Sequence, residues 1–119
     1  MIPSGVRIFL CLEPVDMRLG FDRLARIARE RMGRDPVEGG ALFLFAARGS
    51  TRLKVLWYDR NGLCVLYKRF HQARFELPKA GSGQGVLHID AAALAALLAG
   101  VPHPTSSSTR NGKATRMSA

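Results

Sequence analysis

The stretch Arg52–Pro78, RLKVLWYDRNGLCVLYKRFHQARFELP, places the tightest constraint on what this chain can become. Two apolar, β-rich runs, Leu53–Tyr58 and Leu63–Tyr67, flank Asp59-Arg60-Asn61-Gly62. Asn-Gly between such runs predicts a β-hairpin, because both residues tolerate the positive φ that a type I′ turn demands. With a two-residue turn, Val55, Trp57, Leu66 and Lys68 share one face, and Leu56, Tyr58, Val65 and Tyr67 share the other. Apolar groups on both faces mean that both are partly covered. A helix is expected on one side, with the C-terminal segment or a second chain on the other.

Around the hairpin the chain spells out short elements. Val6–Leu12 reads as a strand ended by Pro14. Asp16 stands as the N-cap of a helix running to about Met32. Phe21, Leu24, Ala25, Ile27, Ala28 and Met32 form its apolar face at i, i+3, i+4 spacing, with Arg23, Arg26, Glu30 and Arg34 opposite. Gly33 is suited to its end, and Asp35-Pro36 breaks the chain. Ala41–Ala47 is a second strand. Strands at about 42–47, 52–58 and 63–68 then form an antiparallel meander. The periodicity does not decide between a helical turn and a bend over Phe70–Phe75. Lys79–Gly85 reads as flexible, Val86–Ile89 as a strand, and Asp90 caps an Ala/Leu-rich helix ending at Gly100. The expected architecture is α+β: an antiparallel sheet with one amphipathic helix on a face and a short C-terminal helix. Residues 1–101 make the domain, and 102–119, poor in apolar residues, a disordered basic tail.

Charge narrows the function. The formal net charge is +9, and residues 48–79 alone hold eight Lys/Arg against two Asp/Glu. An excess placed on a rigid ribbon fits a polyanion, nucleic acid first. Arg48, Arg52, Lys54, Lys68, Arg69 and Arg74 are the candidate phosphate contacts. Tyr67, Phe70 and Phe75 are the candidate stacking rings, and Trp57 is a core anchor. The same pattern also describes a solvated face whose cations block edge-to-edge pairing. No base-reading helix stands out, so weak sequence preference is expected. RNA would suit a basic-aromatic ribbon as well.

Other chemistries find less support. The glycines of GSGQG precede a strand instead of opening a helix, the wrong context for phosphate binding. Cysteines and histidines fall into no paired ligand spacing, so no metal or cofactor is expected. Asp16, Asp59 and Asp90 each have a local role, as helix cap, hairpin turn and helix cap, which argues against a two-metal site. Cys11 and Cys64 sit in strand-like runs and are expected as free thiols in a reducing cytosol. No apolar run approaches a membrane span. Neither a membrane nor a small-molecule substrate is expected as a partner.

The residues also carry a resemblance. The opening strand, Pro14-Val15-Asp16-Met17-Arg18, Gly20-Phe21-Asp22, Leu24-Ala25, Asp35-Pro36, Gly39, Phe43-Leu44-Phe45 and Arg48 begin it. It is densest at Arg52-Leu53-Lys54-Val55-Leu56-Trp57-Tyr58-Asp59, Gly62, Tyr67-Lys68-Arg69, Arg74-Phe75 and Pro78. Over about residues 3–101 the chain resembles the TnpB accessory proteins of the insertion-sequence-66 family of bacterial mobile elements. It differs from their usual pattern at Ala46, Thr51, Ala73 and Leu77. The resemblance implies a cytoplasmic, nucleoid-associated transposition helper, not itself an enzyme, beside a separate transposase. DNA at the element ends and that transposase are then the partners. An adaptor that docks on the transposase without touching DNA is the other form such a helper takes.

Overall fold

The computed structural model describes residues 5–78 and 85–102. The Gly-rich loop up to Gln84 and the tail beyond Pro102 lie outside the described residues. The architecture is α+β, as the patterning predicts. A five-stranded sheet runs in the order β4-β3-β2-β1-β6. Its strands are β1 (Arg7–Cys11), β2 (Ala41–Ala46), β3 (Arg52–Asp59), β4 (Gly62–Arg69) and β6 (Val86–Ile89). A small ribbon, β5 (Ala73–Arg74) with β7 (Val101–Pro102), stands apart, so Pro102 belongs to the folded domain and not to the tail. The meander β2-β3-β4 is antiparallel. Among the described residues the one parallel pair is β1 with β2, because α1 (Phe21–Arg31) carries the chain across the sheet between them.

Two cores result, one on each side. On face A, Phe9, Cys11, Phe43, Phe45 and Leu56 pack against Leu24, Ala25 and Ala28 of α1. On face B, Ile8, Leu10, Leu44, Val55 and Leu53 pack against Leu94 and Leu97 of α2 (Ala91–Ala99), with Phe70 and Phe75. Covering the sheet on both sides is what lets β1 and β2 read as nearly continuous apolar runs.

Two local expectations are corrected. Asp16 does not cap α1; the cap position is Gly20, which makes no side-chain cap hydrogen bond. Instead Asp16 accepts from the backbone N–H of Arg18 at 2.8 Å and from its guanidinium. Val15 and Met17 are both buried in core A, and the Val15 amide donates to the Ala46 carbonyl at 2.8 Å. Burial of both side chains and this sheet bond hold the segment down through a turn, closed by the Leu19 amide on the Asp16 carbonyl at 3.1 Å, which delays the helix. Phe21, placed on the apolar face by its spacing, is half exposed at the first turn.

The hairpin turn is also displaced. Asp59 pairs with Gly62, so Arg60 and Asn61 form the loop and Arg60 alone takes a positive φ, 57°. A turn centred on Asn61-Gly62 would set the buried Lys54 opposite Arg69. The observed register sets it opposite Tyr67, whose ring lies 4.8 Å from Nζ. The shift moves the like-charge opposition to Arg69 from buried Lys54 to exposed Arg52, where solvent screens it. Because the shift moves each partner by two residues, every side chain stays on its expected face.

Candidate nucleic-acid interface

All the candidate cations lie at one end of the sheet, where the β2–β3 turn, the start of β3 and the end of β4 meet. Strand alternation then divides them. Arg52, Lys54, Tyr67 and Arg69 stand on face A; Lys68 stands on face B with Leu53 and Val55.

Lys54 and Lys68 are turned inward. Lys54 is 9% exposed, and its ammonium donates to the Leu19 carbonyl at 2.8 Å beneath the loop that leads into α1. The Lys68 ammonium donates to the Leu98 carbonyl, in the last turn of α2. There it answers an orphan carbonyl and the negative end of the helix dipole. Arg74 is paired with Glu76 at 3.4 Å. Phe70 and Phe75 are 8% and 1% exposed and belong to core B, so as stacking platforms they are corrected. The segment that carries them folds back on the sheet: the Phe70 amide donates to Thr51 and the Phe75 amide to Ser50.

What remains open is a tighter set. Arg48 is exposed in the β2–β3 turn. Arg52 and Arg69 are exposed and directly opposite each other across β3 and β4. Tyr67 is 50% exposed, and its hydroxyl lies 3.5 Å from the Arg52 guanidinium. None of these arginines makes an ion pair with a described residue. The Arg52 charge reaches Asp16, whose carboxyl is held down at about 2, first by the hydrogen bonds from Arg18 and least by Arg52. Like charges directly opposite on a sheet are destabilising, so the opposition of Arg52 and Arg69 does not itself favour this register.

Reading the hairpin alone missed the cations that α1 adds on the same side. Arg23, Arg26 and Arg29 line a shallow cleft of about 270 Å³ with Asp22. Arg26 and Arg29 reach Glu30 and Asp35 at 3.8 and 3.9 Å, both exposed. Their i, i+3 spacing was legible as one helix ridge. That the ridge overlies face A, the side bearing Arg52 and Arg69, required the packing of α1.

The family model described as IS66 Orf2 like protein matches residues 6–107. The chain belongs to this family. Its members are accessory proteins of a transposable element, so the coarse role is in transposition. Two relatives come from Sinorhizobium fredii. "Uncharacterized protein y4hO" is 39% identical over 108 residues, covering 87% of this chain and 91% of the relative. "Uncharacterized protein y4jC" is 29% identical over 97 residues, covering 82% and 80%. No solved structure matches the chain. Within the IS66 Orf2-like chain, no described helix is long and apolar enough to cross a membrane.

Proposed function

We propose that this IS66 Orf2-like protein is a non-enzymatic helper that holds the phosphate backbone of DNA at the element ends while a separate transposase performs strand transfer. The supporting observation is the Arg52–Arg69 pair: two exposed arginines at directly opposed strand positions, neither in an ion pair with a described residue. Such a pair is a cost to the free protein that a bound anion turns into a gain. Arg48 extends the patch along the turn, and Tyr67 offers a ring face beside it. Contacts of this kind position a duplex without reading it, so affinity should vary little with sequence.

A titration of the purified chain against terminal-repeat duplex, scrambled duplex and single strand at several salt concentrations tests this. With about three phosphates contacted, log K against log salt should fall with a slope near −2.7. Affinity that ignores salt, or that survives loss of both Arg52 and Arg69, removes the proposal.

One observation favours the adaptor reading. A groove of about 480 Å³ on face B is lined by apolar Val55, Trp57, Leu66, Leu94 and Leu98. Capture of the transposase in nuclease-treated, high-salt buffer would favour that reading over phosphate binding.

A further inference from the structure

The sheet ends on one side at β6, four residues long, and on the other at β4, eight residues long. Native sheets blunt an open edge with a short strand, a proline, a bulge or charges along it. Over its middle β4 has none of these. Its pairing with β3 runs from Gly62 to Arg69 without a skipped residue, and it contains no proline. Its cations stand only at the C-terminal end, and Lys68 is turned in toward α2. Ahead of them runs Leu63-Cys64-Val65-Leu66-Tyr67.

Alternate residues of this strand turn their N–H and C=O groups away from β3 toward the open edge. An open row of donors and acceptors fits one kind of occupant, another extended strand. Adjacent Leu66 and Tyr67, 45% and 50% exposed, point to opposite faces, so the occupant meets apolar surface on both.

We propose that the occupant is a second copy of this chain, paired antiparallel β4 to β4 about a two-fold axis normal to the sheet. That symmetry keeps face A beside face A, so a residue pairs only with one of the same parity. Centring the axis on Val65 uses the full strand. It sets Tyr67 against Leu63 of the second copy and Leu66 against Cys64, apolar to apolar. Lys68 falls opposite Gly62 and Arg69 opposite Asn61, so no cation meets a cation. Parallel pairing in register would stack Arg69 on Arg69. Read backwards, β4 is its own complement.

The pairing stands apart from the nucleic-acid reading, yet it bears on it. Arg69 of the two copies would lie eight residues apart along the strand direction, about 26 Å at 3.3 Å per residue. Both arginine pairs would then sit on one face at a separation approaching the roughly 34 Å of one duplex turn.

Sedimentation of the full chain in nucleic-acid-free buffer, across micromolar concentrations, tests the pairing without involving DNA. The expected species has twice the 13.0 kDa chain mass. Leu66→Lys puts a charge in the middle of the edge at an exposed position; the fold should persist by circular dichroism while dimer affinity falls at least about tenfold. Leu66→Cys sets two thiols opposite each other, Cys64 of one copy and the new one of the other, so mild oxidation should yield a covalent dimer that the parent chain does not form. A monomer throughout the range, a dimer untouched by Leu66→Lys, or no cross-link would overturn it.

Discussion

Lys68 closes α2 from across the sheet: its ammonium donates to the Leu98 carbonyl while lying 4.8 Å above the Phe70 ring. A cation that the sequence offers to solvent or to phosphate is thereby committed to a helix end. The neighbouring Arg69, one residue on and hence on the other face, stays exposed. If the proposed phosphate contact holds, adjacent positions separate stability from binding.

Lys68→Met keeps the apolar stem and removes the donor. Loss of a charge-assisted bond to a helix-terminal carbonyl should cost about 1–2 kcal/mol. Urea unfolding should show a lower midpoint at unchanged slope, with DNA affinity as in the parent. A variant as stable as the parent would refute the helix-closing role.

Arg69→Ala and Arg52→Ala should behave in the opposite way. Each should weaken binding to unrelated duplexes alike and make the salt slope shallower by about 0.9. Relief of the cross-strand repulsion should leave stability unchanged or raise it by a few tenths of a kcal/mol. Anisotropy titrations beside thermal melts measure both.

Gly100 follows α2 with φ 71° and ψ 179°, backbone that a side chain strains to adopt. A Cβ there would stand 2.7 Å from the Phe70 ring and 3.1 Å from the Arg74 carbonyl oxygen. Gly100→Ala therefore combines backbone strain with overpacking, and about 2–4 kcal/mol should be lost. A melting temperature equal to the parent's would refute the close approach.

The hydrogen bonds from Arg18 hold the Asp16 carboxyl at about 2, below its ordinary 3.8. A depressed acid contributes stability that is complete above its ordinary pKa and is lost as pH falls toward the folded value. The gap in melting temperature between the parent and Asp16→Asn should therefore be constant above about pH 5 and close between about pH 4 and pH 2. A gap that persists at pH 2 would place the effect elsewhere.

The wrong turn position in the hairpin did no harm to the face assignments. Strand parity survives a two-residue shift in partner, so Lys68 with Val55, and Tyr67 with Leu56, were assigned correctly. Asp90 as a cap was equally legible, since its carboxylate needs only the Ala93 amide three residues on, at 2.8 Å. Asp16 misled because a cap is local only when a helix follows at once. Here the burial of Val15 and Met17, a tertiary demand, turns the chain at Met17-Arg18 and puts the helix start at Gly20. Phe70 and Phe75 misled for a related reason: neighbouring cations gave them the look of stacking rings, but the bend returns them to core B.

The amino-acid order by itself settled what depends on near neighbours: the two-faced hairpin, the amphipathic first helix, the Ala/Leu-rich second one, the Asp90 cap, the α+β class and the family. Periodicity and turn chemistry act over a few residues and are written in the chain. Only the tertiary structure decided which cations are free, because Lys54 and Lys68 are consumed by carbonyls 35 and 30 residues distant. It also set Arg52 against Arg69 and left β4 open at the sheet edge. Those relationships arise from register and packing between distant segments, where burial and hydrogen-bond satisfaction outweigh local preference.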